Sequence, residues 1–337
     1  MTNQQILLVS RPVGEPSADN FKLVETPIPE LEVGQVLVRH RYLSLDPYMR
    51  GRMNEGKSYA LPQPLNAVMI GGTVGEVVAS RHEKYRVGDH VVGMGGWQLY
   101  SVVDGNATGA LRKIDTRAIP MSAYLGAVGM PGATAWVGLT HIIEPKPGET
   151  IVVSAASGAV GSVVGQLAKA RGCRAVGIAG GREKCEHVVQ ELGFDACIDY
   201  KAHADTRSLA RALKDACPHG VDGYFENVGG RILDAVMLRM NAFGRIAVCG
   251  MIAGYNGEPL PMANPSLILV ERLKVQGFIV SEHMNLWPQA LSELGTMVAS
   301  GRLRYRETVA QGLAAAPEAF LGLLKGRNFG KQLVQLV

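Results

Sequence analysis

Cysteine is scarce in this chain: Cys173, Cys185, Cys197, Cys217 and Cys249 are the only five in 337 residues. Their number is odd, their spacing is wide and none precedes Cys173, so neither a disulfide framework nor a sequence-local metal knuckle is indicated. This usage fits a reducing, cytoplasmic compartment. Blocks of one charge sign are missing too. The 34 basic and 30 acidic residues are scattered to a net charge of +4, which gives no nucleic-acid footprint. Long apolar runs are equally rare. Ile6-Leu7-Leu8-Val9 stops before Arg11-Pro12, too soon for the core of an export signal. Leu125 to Ile143 and Ile151 to Ala168 reach membrane length but are diluted by Gly, Ser, Thr, Pro or Gln, so no membrane association is expected.

Glycine is plentiful, at 41 residues, while aromatics make up only 6%. That balance favours tight turns and close backbone approaches over bulky packing, as in α/β nucleotide binders. A hydrophobic fraction of 47% against 19% charged residues marks a folded chain, and the length is that of about two domains. Between Gln35 and about Val103, short apolar or alternating runs separated by glycine and proline clusters predict a barrel-like sheet. From Thr150 the rhythm becomes strand, helix, strand, helix, with strands near 151–155, 175–179, 196–199, 221–226, 245–249 and 274–280. Such alternation implies a parallel sheet with crossover helices. The expected fold is therefore α/β. Residues 126–301 form a doubly wound Rossmann domain. Residues 1–125 form a mainly β, barrel domain that 302–337 complete, because Rossmann sheets end near six strands.

After the strand Ile151-Val152-Val153 comes Ala156-Ser157-Gly158-Ala159-Val160-Gly161, and then a helical pattern. This is A-x-G-x-x-G, one methyl away from the dinucleotide fingerprint. Gly158 suits close approach to a pyrophosphate, Gly161 suits close helix-on-strand packing, and helix N–H groups face the anion. An NAD site would place Asp or Glu near the end of the second strand to bind the ribose 2′-hydroxyl. Here that strand runs into Gly180-Gly181-Arg182-Glu183-Lys184. Small glycines leave room for a 2′-phosphate, and Arg182 and Lys184 offer it positive charge, so NADP is favoured. The alternative is that both cations only decorate the first turn of a helix.

A barrel domain followed by a Rossmann unit is also the plan of zinc alcohol dehydrogenases. Catalytic zinc needs three N, S or O protein ligands, and His40, His82, His90 and His141 are isolated, which reads as surface or strand-end positions. No metal is expected. Without one, reduction of a conjugated alkene is easier than alcohol oxidation, because a hydroxyl donor near the developing enolate suffices.

Three segments now carry a resemblance: 43–53 (LSLDPYMRGRM), 129–135 (GMPGATA) and 225–230 (FENVGG), together with 323–331 at the far end. They resemble the zinc-independent medium-chain dehydrogenase/reductases. Within these, the match is to the branch of prostaglandin reductases, leukotriene hydroxydehydrogenases, plant alkenal double-bond reductases and bacterial curcumin reductase. The likeness runs over nearly the whole chain and implies a GroES-like first domain. It also implies NADPH-dependent reduction of α,β-unsaturated ketones and aldehydes, and a homodimer.

Carried over residue by residue, the resemblance assigns the pyrophosphate to Gly158, Ala159, Val160 and Gly161. It assigns the adenosine phosphate to Gly181, Lys184 and Tyr200. The nicotinamide half falls to Met130, Thr134, Asn227, Cys249, Gly250, Met251, Ile252 and Tyr255, with Phe278, Ile279, Val280 and Asn328 as further contacts. Tyr255 is the implied proton donor or enolate stabiliser, and Tyr48 lines the substrate cleft. From the residues alone, Cys249-Gly250 ends a strand, so the following loop lies at the carboxyl edge where α/β sheets bind ligands. Tyr255 can equally be a cofactor-packing residue, and Tyr48 a buried aromatic. Cys249 has no adjoining histidine and reads as a small packing residue. Lys274 to Val280, left as an open apolar edge, would invite pairing with a second copy. A quinone oxidoreductase on the same fold and a non-catalytic NADPH-binding sensor stay open as alternatives.

Overall fold

Ile6 and Leu8 alternate with outward residues and are buried in a first strand, β1 (Thr2–Leu8), which pairs antiparallel with β2 (Phe21–Pro27). The structure is a computed structural model describing residues 2–336. After this hairpin come β3 (Gln35–Ser44), a short helix α1 (Tyr48–Arg52), β4 (Ala67–Val68), β5 (Thr73–Ser80), β6 (His90–Gly93), β7 (Tyr100–Asp104) and β8 (Leu111–Lys113). Then follow α2 (Met130–Val137), β9 (Thr150–Ser154), α3 (Gly161–Ala170), β10 (Arg174–Ala179), α4 (Arg182–Gln190), β11 (Ala196–Asp199) and α5 (Thr206–Ala216). The alternation continues through β12 (Val221–Glu226), α6 (Gly230–Met237), β13 (Met240–Val248), α7 (Ser266–Val270), β14 (Lys274–Gly277) and α8 (Trp287–Ala299). The chain closes with β15 (Glu307–Gln311), α9 (Ala316–Leu324) and β16 (Lys331–Gln335).

The chain divides into two compact units, one holding the residues up to Gly126 and those from Glu307 onward, the other Ala127–Arg306. The first is mainly β. A three-stranded sheet runs β2-β1-β4, and a seven-stranded sheet runs β15-β16-β3-β5-β6-β8 with β7 also on β3. The C-terminal strand enters it by antiparallel pairing of Leu333 with Ser44. Within it Phe21 stacks on Trp97 at 5.3 Å, and the Phe320 ring of α9 meets Trp97 edge-on at 5.7 Å. His40 departs from the expected surface position. It lies mid-strand in β3, 1% exposed, with Nε2 at 2.9 Å from Ser101 Oγ, and burial pushes its pKa down to about 3.

The second unit is a six-stranded parallel sheet in the order β11-β10-β9-β12-β13-β14. Every residue of β9 is buried, as expected for a strand covered on both faces. Ile151 and Val153 face one core with α2 and α3, while Val152 faces the other with α5 and α6. Strand β13 begins at Met240, ahead of the expected Arg245, because a bend at Phe243 (φ 64°) lets Met240 pair with Val221 before register resumes at Arg245 and Gly223. The sheet order reverses between β9 and β12, and a crevice at that switch point is where such sheets bind ligands.

Candidate functional site

The glycine loop opens at the carboxyl end of β9. The left-handed conformation there falls on Ala155 (φ 49°), so the next position tolerates its methyl, and Ala156 is fully buried. Strand β10 accommodates that methyl with Gly177, where a side-chain carbon would lie 2.8 Å from it. At Gly161 such a carbon would stand 2.4 Å from the Ala155 carbonyl oxygen, and at Gly158 3.1 Å from the same atom. Only glycine lets the first turn of α3 sit this close to the strand. Ser157 to Gly161, with Ala159 and Val160 between the glycines, thus bring a helix N-terminus to the switch point, where it suits a pyrophosphate.

Across the switch point, Asn227 follows β12 and donates from Nδ2 to the Ser154 carbonyl (2.8 Å). Its own carbonyl receives the Ile252 N–H (3.2 Å), and the Val228 carbonyl receives that of Ala253 (3.0 Å). The segment Cys249-Gly250-Met251-Ile252 is thereby laid against Asn227. A side-chain carbon at Gly250 would come 3.0 Å from the Tyr255 phenol oxygen and 3.6 Å from the Asn227 carbonyl. Gly250 is therefore the gap over which the Tyr255 hydroxyl reaches the same edge as Asn227. Burial pushes the Cys249 thiol up to about 12, which makes it a packing group rather than a nucleophile.

The adenosine end is built from β10, β11 and α4. Gly181 (φ 106°) is the N-cap of α4, and its N–H donates to Asp199 Oδ1 (2.8 Å). Beside it, a side-chain carbon at Gly180 would meet the Tyr200 ring at 2.9 Å and the Lys201 stem at 3.1 Å. Burial, and then the neighbouring Lys201 charge, hold the Lys184 ammonium below its usual pKa. Arg231 adds a third: its guanidinium lies 5.7 Å over the Tyr200 ring and donates to the Tyr200 carbonyl (3.1 Å). No motif in the sequence marks Lys201 or Arg231. Lys201 was readable as the neighbour of Tyr200, whereas Arg231 arrives from α6 and gave no local signal. Arg182 points elsewhere, to Glu186 one turn along the helix (2.6 Å).

Other expected residues have different surroundings. Thr134 donates from its hydroxyl to the Met130 carbonyl of its own helix (2.8 Å). Phe278 is buried in the core, edge-on to Phe225 at 6.1 Å, so a ligand at this segment would meet main chain rather than the ring. Ile279 accepts the Glu282 N–H, and Val280 accepts the Trp287 indole (3.1 Å). Tyr48 and Asn328 belong to the first unit. Tyr48 opens α1 after Pro47 (φ −57°), whose ring presets that dihedral. Burial, and then the Asp46 and Tyr59 neighbours, raise its phenol well above the usual range, so it is a neutral donor. Asn328 Nδ2 donates to the Gly330 carbonyl (2.7 Å). Among the described residues there is no group of three or more His, Cys, Asp or Glu placed to hold a metal ion, and no helix is long and apolar enough to cross a membrane.

Comparison with known proteins follows the same outline. Residues 4–111 match the model of an N-terminal domain of oxidoreductases, and residues 159–296 match one described as zinc-binding dehydrogenase. The chain is 46% identical to the NADPH-dependent curcumin reductase of Escherichia coli K12 over 341 residues, covering 99% of this chain and 97% of that one. It is 42% identical over 343 residues to the NADP(+)-dependent 2-alkenal reductase of Nicotiana tabacum, covering 100% and 98%. The crystal structure of CurA from Vibrio vulnificus in complex with NADPH is 46% identical, covers 99% of each chain and superposes with a TM-score of 0.92. Identity of this depth over the whole length makes the chain a member of the zinc-independent medium-chain dehydrogenase/reductases, in the branch that holds these alkenal and curcumin reductases.

Proposed function

We propose that this protein reduces the carbon–carbon double bond of α,β-unsaturated ketones and aldehydes with NADPH. The observation that carries the reading is the run of one sheet edge from a glycine loop to Gly180, Tyr200 and Lys201, with Asn227 and the Tyr255 phenol across the switch point. Gly158 to Gly161 hold the pyrophosphate, and Gly181, Lys184, Tyr200 and Lys201 hold the 2′-phosphate, whose charge relieves the repulsion between the two ammonium groups. Asn227 and the Cys249 to Ile252 segment frame the nicotinamide half, with Met130, Thr134 and the main chain of Phe278 to Val280 as further contacts. NADPH, when bound, supplies the hydride that adds at the β-carbon. As negative charge develops on the carbonyl oxygen, Tyr255 donates a hydrogen bond to it, and the α-carbon takes a proton from Tyr255 or from water to leave the saturated product. Tyr48, within the first unit, offers a neutral hydroxyl of its own for substrate. The unit completed by the C-terminal strand is the substrate domain, and Ala127–Arg306 the cofactor domain.

We infer a cytoplasmic homodimer. All five cysteines are free thiols, which suits a reducing compartment. Strand β14 is the edge of the six-stranded sheet, and around it Phe243, Leu269, Val270 and Val275 are 67%, 80%, 55% and 39% exposed, an apolar patch beside unpaired strand groups. Light scattering tests this, and a fully active monomer at micromolar concentration contradicts it. For the reaction, purified protein is incubated with NADPH and a simple enone and the product identified. The saturated ketone is expected; an allylic alcohol, or turnover confined to quinones, overturns the assignment.

A further inference from the structure

At the switch point the last residues of the two flanking strands, Ser154 of β9 and Glu226 of β12, are both 0% exposed and hydrogen-bonded to each other. Ser154 Oγ donates to Glu226 Oε1 (2.8 Å) and accepts the Asn227 N–H (2.8 Å). The same carboxyl oxygen accepts the Val228 N–H (2.6 Å). The Glu226 carbonyl takes the N–H groups of Cys249 (2.9 Å) and Gly250 (3.2 Å). The side-chain pair therefore fastens the start of the loop after β12, and the main-chain carbonyls of Glu226, Asn227 and Val228 pass that hold to the loop after β13, which leads to Tyr255.

Burying a carboxyl group is costly, and Tyr224, Phe225 and Cys249 around it offer no cation to offset that cost. Packing alone would be served by an apolar residue. What an apolar residue lacks is an acceptor for main-chain N–H groups that turn inward where two strands end, and those donors must be satisfied.

We propose that Ser154 and Glu226 are positioning residues, a buried latch that holds the Asn227–Gly229 and Cys249–Gly254 loops together and thereby sets where Asn227 and Tyr255 stand for the cofactor. Both side chains are 0% exposed and act through these loops. The inference rests on the reduction reading above and adds the pair to it.

The test compares the parent with Ser154→Ala, Glu226→Ala and Glu226→Gln. It uses amide hydrogen exchange in the cofactor-free protein and NADPH affinity by fluorescence titration. In Ser154→Ala and Glu226→Ala, exchange should quicken in the segments 227–230 and 249–255 and little elsewhere. NADPH affinity should fall about tenfold, the effect of losing one or two hydrogen bonds from a preorganised site. Glu226→Gln should recover most of that affinity, because its amide oxygen still accepts from Val228 and Ser154. If Glu226→Ala proves too unstable, Ser154→Ala carries the same prediction with a smaller change. A purely structural role would lower the unfolding temperature and leave NADPH affinity within about twofold in the folded protein, and that result overturns the latch. A parent that binds no NADPH overturns the reduction reading by itself, whereas a parent that binds it beside unaffected variants overturns the latch alone.

Discussion

Lys331 and Asp46, 285 residues apart in sequence, form an ion pair of 2.8 Å with side chains only 4% and 7% exposed. The Lys331 ammonium also donates to the Leu45 carbonyl (2.7 Å), and Ser44 Oγ donates to the other Asp46 oxygen. The Asp46 carbonyl in turn accepts the Met49 N–H (3.1 Å), so the first residue of the C-terminal strand anchors the turn that carries Tyr48.

Removing one member of such a pair strands the other charge in the interior. Lys331→Met should lower stability by about 3–5 kcal/mol, while Lys331→Met combined with Asp46→Leu should lose much less than the two single changes added together. Urea unfolding of the three variants measures this. Additive losses would show that the two groups do not compensate each other.

At the adenosine end, Lys184→Ala removes one of the two cations proposed for the 2′-phosphate. A charge-assisted contact of this kind contributes about 1.5–3 kcal/mol, so NADPH binding should weaken about tenfold or more with NADH binding unchanged. Fluorescence titration with both cofactors decides, and an equal loss for the two would remove the lysine from the phosphate site.

Tyr255→Phe keeps the ring and deletes the donor beside Gly250. A fall in kcat approaching 100-fold is expected, with NADPH affinity nearly unchanged. If the tyrosine only braces the cofactor, the pattern inverts: affinity drops and kcat at saturation stays within about twofold.

Turnover should survive prolonged chelation, since the first unit supplies no thiolate and its histidines are dispersed. Stoichiometric zinc in the purified protein, with activity lost in chelator and restored by zinc, would refute metal-independence.

Glu307, at the start of β15, has its carboxyl pKa raised by burial, with the Ser122 hydroxyl and Lys331 pulling it back. A raised folded-state value means the folded protein holds that proton more tightly than the unfolded chain does. Its contribution is therefore complete below the ordinary carboxyl range and is lost as pH rises through the raised value. Glu307→Gln removes this titration, so the variant should gain on the parent in unfolding temperature from about pH 4 toward neutrality. A gap that narrows as pH rises would reverse the sign.

The glycine loop was legible from residue order because its constraint is local: Gly158 and Gly161 both pack on the carbonyl of Ala155, a few residues away. The same holds for Gly180-Gly181, whose meaning lies in the missing acid. The alternation of β9 through β14 with helices was also legible, since each element's period is set by its own residues. By contrast, the N-terminal hairpin was not, because Ile6 and Leu8 belong to a strand only once β2 and β4 pair with it.

What the sequence determined by itself was the chemistry on offer: a pyrophosphate loop, cations in place of an acid, hydroxyl donors in place of a zinc site. Tertiary structure alone decided which residues share a place. His40 reads as a surface histidine until β3 and β7 enclose it, and only the fold shows that the Phe278 ring packs on Phe225 and leaves its main chain as the part open to a ligand. Lys331, Asp46 and Glu226 are charged, and charged residues belong at the surface unless a partner meets them inside. Those partners come from distant strands or from the neighbouring strand of a sheet whose order is not written along the chain, so only the folded pairing of β16 with β3 and of β12 with β9 brings them together.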